Sequence, residues 1–521
     1  SPVHRNPSSP VHRNPSSPGK NFFFPAKTPP FPLTAPAFRA IIIFVMSFGH
    51  VSVQKKALDL GRDSVGKLVA KLAIPAVIAQ LINLLYNLVD RMYVGAIEGI
   101  GMQALAGLGV VFPITLIVSA FANLVGLGGA PLTGIFLGEG KKKEANAVFN
   151  TGAAMLLIFG VLLTAVVLAF CDPLVRAFGC PDDAFVYARD YLFVYGIGTI
   201  FVMYSLGLNP FITTQGYSFT SMLTVAIGAM LNIALDPLFI FVFGMGVKGA
   251  ALATILSQAV SAVWVTVFFF RKKSLFRFDF RHFLPKPKTA ARILFLGLSP
   301  FIMSVTESAI QIVFNNNLKY WSGNNSAYTT ALTIMLSAVQ IVSMPLNGLG
   351  TGVQPLVSYN YGSGNSARIR KTVKIVAVVA LCCSTSVWLV SLLAPQIYGY
   401  LFSAEPAVME IIRKNMPFFM AGTVFFFAQM TLQNVFIALN QAKISIFLAC
   451  LRKVILLIPL CFLLPYAFGA EGVFYSEGIA DTVAGIVTAT TFFTMLPRIL
   501  KKREAALAQS TKDSEENTQA E

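Results

Sequence analysis

The sequence predicts an all-α membrane protein with twelve transmembrane helices, arranged as two parallel six-helix lobes related by an internal duplication. Three observations carry that prediction. Hydrophobic residues make up 55% of the 521 positions and charged residues only 12%, with a mean hydropathy of +0.69; an ordinary soluble protein is excluded. Apolar runs long enough to cross a bilayer recur along the chain. Four short motifs also return at a spacing near 224 residues, the signature of a repeated unit.

Taken in order, the first fifty residues are set aside. Ser1 to Ser8 repeats at once as Ser9 to Ser16, and a Pro- and Phe-rich stretch follows. Such low-complexity sequence cannot build a core. It lacks the charged n-region and small-residue cleavage site of a secretory signal, and the run from Ile41 to Met46 is too short to span. Residues 1–50 are therefore expected to be a disordered extension, with Met46 a candidate native start.

The predicted spans lie near 68–94, 104–137, 147–171, 187–213, 218–244 and 247–270 in a first lobe (51–270). Those of a second lobe (289–500) lie near 289–318, 327–360, 371–395, 411–439, 444–468 and 472–497. A basic linker and hinge (271–288) joins the lobes, and a polar tail (501–521) is expected to be disordered. The formal charge of +17 does not indicate nucleic acid, because the basic residues cluster in alternate loops. They fall before the first span (Lys55, Lys56, Arg62, Lys67) and after the second (Lys141, Lys142, Lys143). They recur after the sixth (Arg271 to Lys288), the eighth (Arg368, Arg370, Lys371), the tenth (Lys443) and the twelfth (Arg498 to Arg503). This positive-inside pattern places both termini in the cytoplasm.

The repeat is read from Gly126, Gly128, Pro131 and Leu132 against Gly350, Gly352, Pro355 and Leu356. Gly138 and Gly140 likewise match Gly362 and Gly364, Pro75 matches Pro300, and Gly198 matches Gly422. Six helices per unit leave both copies in one orientation, so two lobes would flank a central cavity. That is a transporter plan, worked by rocking one lobe against the other.

Polar residues inside the spans are the candidate site. Asp236 is the one charged residue between Ser218 and Gly244, and a carboxylate at that depth costs about 3 kcal/mol or more. Asn232, one turn earlier, shares its face. Asp90 and Thr254 are expected at similar depth, so four oxygen donors converge. Two close carboxylates call for a cation or a proton between them, and the neutral oxygens of Asn232 and Thr254 favour sodium. The duplication acts as a control: Asn232 and Asp236 correspond to Leu456 and Leu460, and Asp90 to about Asn315. The scaffold does not need these groups to pack. The competing readings are a helix-packing role for Asp236 and an interfacial charge neutralised by Arg91 for Asp90.

The VDRMYVG, LNIALDPLFIF and LGEGKKKEA motifs, together with the duplicated twelve-helix plan, resemble the multidrug and toxic compound extrusion family, in particular its MepA-like bacterial branch, over roughly residues 55–500. The resemblance implies a monomeric secondary exporter of organic cations and amphipathic drugs in the bacterial inner membrane, using sodium ions or protons and no cofactor. It assigns the coupling cation to Asp90, Asn232, Asp236 and Thr254. In the second lobe it points to Glu307 as a substrate or proton residue, with Gln429 standing where a partner acid is found in one branch. The plain alternative for Glu307 is a buried carboxyl hydrogen-bonded to a neighbour. Arg452 is a candidate cavity charge or interhelical clamp, and Lys453 is expected to snorkel to an interface. Met203, Tyr204, Phe427 and Met430 are candidate pocket residues, though most such side chains in so apolar a chain are core.

Other classes fit less well. An exporter of lipid-linked saccharides would carry basic rather than acidic residues in its spans. An intramembrane enzyme would need HExxH, GxSxG or a membrane histidine; His4, His12, His50 and His282 all lie outside the spans. A channel does not call for two lobes around one buried acidic site. No metal-ligand spacing is present among the six cysteines; Cys171 and Cys180 could pair in an oxidising compartment.

Overall fold

The computed structural model describes residues 57–279, 285–323, 325–401 and 405–520. The N-terminal repeat, Met46, Arg281 and all four histidines lie outside the described residues. In the first half the spans are α1 (Val65–Gly95), α2 (Gly101–Gly138), α3 (Lys142–Ala169), α4 (Asp182–Thr214), α5 (Ser218–Val242) and α6 (Val247–Phe270). In the second they are α7 (Pro287–Trp321), α8 (Ser326–Gly362), α9 (Ser366–Leu393), α10 (Pro406–Ala438), α11 (Ala442–Phe468) and α12 (Ala470–Ala520). Each predicted span coincides with one of these. α10 is bent by 42° between Phe425 and Phe427. Large apolar side chains such as Val161, Phe193, Ile197 and Val263 remain half exposed on the outer faces, as lipid-facing surfaces require.

The duplication is visible in contacts as well as sequence. A Cβ on Gly128 of α2 would lie 2.2 Å from the Ile293 carbonyl oxygen of α7, and one on Gly352 of α8 would lie 2.9 Å from Ala73 Cα of α1. Gly126 abuts Gly207 of α4, and its counterpart Gly350 abuts Met430 and Thr431 of α10. Gly138 and Gly362 meet each other: a Cβ on Gly138 would reach the Tyr359 oxygen at 2.0 Å, and one on Gly362 the Ile135 oxygen at 2.1 Å. An axis relating the lobes therefore passes between these two glycines. The following turns match too, with Gly140 at φ +76° and Gly364 at φ +73°, a region glycine enters without strain.

At this end of the bundle the lobes interlock. Leu68, Val69 and Leu72 of α1 pack into the core of the second lobe, while Ile293 and Leu296 of α7 pack into that of the first. Polar contacts tie the same end. Arg503 Nη2 donates to Glu139 Oε1 at 2.5 Å and to the Gly362 oxygen at 3.0 Å, and its Nε donates to the Tyr361 oxygen. Arg368 Nη2 donates to the Asp63 oxygen at 2.7 Å, and Asn360 Nδ2 to the Leu60 oxygen at 3.1 Å.

Two expectations are corrected. The polar tail is helical as far as Ala520, because its Lys, Arg, Glu, Ala and Gln residues are strong helix formers and Arg503 anchors its start. Residues 271–279 do not form a loose hinge. The Arg277 amide donates to Asn146 Oδ1 and the Asp279 amide to Asn150 Oδ1, both at 2.8 Å, while Leu275 N donates to Gln215 Oε1. Phe276 stacks on Phe149 at 5.5 Å, so this half of the linker is part of the first lobe. Cys171 and Cys180 are both free. Cys171 opens a short helix, Cys171–Ala177, and Cys180 follows it.

Replacing Gly297 by Val should lower the thermal midpoint, by about 1–3 kcal/mol of stability or more, since its Cβ would lie 1.8 Å from the Leu124 oxygen. Gly66→Ala, with nothing within 4 Å, should not lower it; both are read by unfolding of the purified protein. Glu139 supplies a pH test outside the spans. Burial pushes its carboxyl up, but hydrogen bonds from Lys141 and Arg503 outweigh this and hold it below its ordinary value. A depressed carboxylate stabilises above its unfolded pKa and stops doing so as pH falls through the folded one. The stability difference between wild type and Glu139→Gln, about 1 kcal/mol, should persist at neutral pH and vanish in acid.

Candidate functional site

Asn232 and Asp236 stand one turn apart on the buried face of α5, 1% and 0% exposed. Pro237 follows and cannot donate to the helix ladder, and a π-helical turn, Leu238–Val242, takes up the break. Asn232 joins α5 to α6. With its amide oriented so that both ends are satisfied, Nδ2 donates to Asp236 Oδ2 at 3.1 Å, and Oδ1 accepts from the Thr254 amide at 3.3 Å and the Thr254 hydroxyl at 3.2 Å. Asp90 on α1 and Thr254 both line a cavity of about 490 Å³, to which α2, α4 and α8 also contribute, with Tyr191, Asn123, Asn347 and Gln354 among its walls.

The four expected residues thus fall at one place. Asp236 and Asn232 lie behind Thr254, and Asp90 faces the cavity with its Oδ1 lacking a hydrogen-bond partner among the described residues. Arg91 stacks its guanidinium over the Phe112 ring at 4.4 Å. A second, water-sized cavity of about 30 Å³ is bounded by Tyr86, Ser205, Asn209, Asn232, Thr254 and Gln258. Here Ser205 Oγ donates to Gln258 Oε1 at 2.5 Å. The arrangement offers carboxylate, amide and hydroxyl oxygens to a small cation, or a donor–acceptor chain to a proton.

The second-lobe candidates sit differently. Lys453 does not snorkel: it is 4% exposed and ion-paired with Glu307, whose side chain is 44% exposed. Arg452 clamps α11 to α12, pairing with Glu477 at 3.2 Å and with Asp481. Both bases ride on a π-helical stretch, Leu451–Leu457. Gln429, on the π-helical part of α10, donates to the Asp481 backbone oxygen at 2.7 Å rather than to Glu307. Met203, Tyr204, Phe427 and Met430 do not line the cavity; Met203 is wholly buried core and Tyr204 donates to the Ala153 oxygen.

The sequence matches the MatE family twice, over residues 75–238 and 300–463, more than half of the chain. The chain belongs to the MatE family. The two matched stretches cover α1–α5 and α7–α11, as the duplication requires. A relative in Staphylococcus haemolyticus, "Multidrug export protein MepA", is 27% identical over 445 residues, covering 84% of this chain and 95% of that protein. Among solved structures, an outward-facing multidrug resistance MATE family transporter of the MOP superfamily aligns with a TM-score of 0.78 at 23% identity, over 85% of this chain and 99% of that one. A MOP superfamily transporter from Pyrococcus furiosus, whose title reports a binding pocket of reverse polarity, gives the same figures. At that identity these two likenesses establish the fold alone: this is a multi-pass transporter fold.

Sequence reasoning missed Glu477 and Asp481. They lie beyond the second MatE match, but two acids four apart in an apolar span are the signal that singled out Asn232 and Asp236. Asp236→Asn keeps an acceptor for the Asn232 amide and should leave thermal stability nearly unchanged. Asp236→Leu strands that amide and should cost about 1–3 kcal/mol, measured by unfolding in detergent.

Proposed function

We propose that this chain is a secondary exporter of organic cations and amphipathic drugs, in antiport with a monovalent cation. One observation carries the reading: Asp90 faces a cavity lined by both lobes while Asp236, Asn232 and Thr254 form a buried hydrogen-bonded group behind it. The likeness to the staphylococcal multidrug export protein supports drugs as cargo. A cation bound between Asp90 and Asp236 would favour one conformation and substrate the other, giving alternating access by rocking of the lobes. With the basic loops inside, the interlocked end holding Arg503 and Glu139 faces the cytoplasm of a bacterial inner membrane. The protein acts as a monomer, and no step is enzymatic.

Sodium is the first reading of the ion, on the strength of the neutral oxygens of Asn232 and Thr254. A proton is the second, favoured by the hydrogen bonding. The Asn232 amide points its nitrogen at Asp236, which suits a carboxyl that titrates; sodium would require the amide to turn its oxygen inward.

The test is export of a fluorescent organic cation from proteoliposomes under a sodium gradient and, separately, a pH gradient. Wild type should export under one of them, and Asp236→Asn should reduce that driven flux roughly tenfold or more. Unchanged driven export in Asp236→Asn would remove the site from the mechanism; transport under neither gradient would overturn the antiport reading.

A further inference from the structure

The second lobe contains a buried ionic cluster that the proposed antiport leaves unused. Glu307 of α7, Arg452 and Lys453 of α11, and Glu477 and Asp481 of α12 are joined by three ion pairs. The side chains of Arg452, Lys453, Glu477 and Asp481 are at most 7% exposed, whereas that of Glu307 is 44% exposed. Three carboxylates face two cations. Lys453 is matched by Glu307, so the two acids shut away from solvent, Glu477 and Asp481, share the one guanidinium of Arg452. With all ionised this carries one excess negative charge, which is costly deep in a membrane protein.

The hydrogen-bond pattern shows the same deficit. Glu477 Oε1 accepts from Arg452 Nη2, but Glu477 Oε2 is buried without a partner among the described residues. Gln429 spends its Nε2 on Asp481, and its Oε1 is likewise buried and unpartnered. Glu477 Oε2 and, on the adjacent α10, Gln429 Oε1 therefore lack a donor among the described residues, where buried polar atoms are ordinarily paired.

The position is the duplicated counterpart of the first-lobe site. Gly246 (φ +54°) opens α6 and Gly469 (φ +59°) precedes α12 in the matching turn. Thr254 stands eight residues past the first and Glu477 eight past the second. The matched glycines of α4 and α10 agree to within about a turn: a Cβ on Gly198 would lie 2.2 Å from Ile255, and one on Gly422 would lie 2.2 Å from Asp481. Where the first lobe presents Thr254 beside Asn232 and Asp236, the second presents Glu477 and Asp481 beside Arg452.

We propose that Glu477 is a proton-binding site of the second lobe. A proton taken from water onto Oε2 brings the cluster to zero net charge and occupies a buried acceptor that has no donor; its release to water restores the carboxylate, and no other bond changes. Sodium fits poorly, because Arg452 and Lys453 already occupy the cationic places and only two free oxygens remain, too few for a hard cation. The groups facing Glu477 are Asp481 on its own helix, Arg452, Lys453 and Cys461 on α11, Glu307 on α7 and the Gln429 amide on α10. The proposal stands whichever ion works at Asp90 and Asp236, and it does not depend on the transport reading.

The test is infrared titration of the full chain in lipid nanodiscs, carrying Asp90→Asn and Asp236→Asn so that the first-lobe acids are silent. A buried, protonated carboxyl band that titrates with pH should remain, should be insensitive to sodium, and should disappear when Glu477→Gln is added. Glutamine has the shape of the protonated acid, so this variant should keep its thermal midpoint. No titrating band in the Asp90→Asn/Asp236→Asn background, where position 477 is native, would overturn the proposal. So would a band that survives Glu477→Gln, or one abolished by sodium at constant pH.

Discussion

Backbone-to-backbone contact at glycine is the constraint on which the rest of this structure depends. Gly138 against Tyr359, Gly362 against Ile135, and Gly297 against Leu124 bring helices of opposite lobes closer than any side chain permits. In hydrocarbon, close approach of small residues replaces the hydrophobic driving force that associates helices in water. The same contacts seal one end of the bundle, so α1, α2, α4 and α8 can stand apart further along and leave a cavity. Gly348 and Gly352 of α8 close in the same way on Val77 and Ala73 of α1, the helix that carries Asp90.

The candidate polar sites coincide with departures from regular helix. Asp236 precedes the π-helical turn of α5, Gln429 lies in that of α10, and Arg452 and Lys453 ride on that of α11. A π-turn shifts the register of the side chains beyond it, and its backbone is less completely bonded than that of an α-helix. Membrane helices tolerate this only where neighbours supply partners. Asn232 to Thr254, and Gln429 to the Asp481 carbonyl, are such bonds between helices.

The two lobes have spent the same framework differently. In the first, the Asn232 amide joins the buried Asp236 carboxylate to the Thr254 hydroxyl, and none of these three is a base. In the second, the acids are met by Arg452 and Lys453, cations tethered to the chain itself. Truncating one partner of such a buried pair leaves an uncompensated charge, which is why clusters of this kind are all or nothing.

The sequence by itself determined the class, the number of spans, the repeat and the convergence of Asp90, Asn232, Asp236 and Thr254. The class and the spans rest on local composition, the repeat on motifs about 224 residues apart, and the Asn232–Asp236 pair on i, i+4 spacing. Asp90 and Thr254 join them through depth in their spans and the family resemblance. The membrane penalises polar atoms so heavily that few arrangements survive. It did not determine which charges meet across helices. Lys453 read as a snorkelling side chain because Glu307, 146 positions away, is invisible to any local pattern. Glu477 and Asp481 were legible as a pair, yet only the packing of α12 against α11 gave them Arg452. The tail read as disordered because its polarity cannot reveal that Arg503 finds Glu139 of the opposite lobe and two backbone oxygens at the end of α8. Local chemistry says what a side chain costs when buried; only the tertiary structure says what it is buried against.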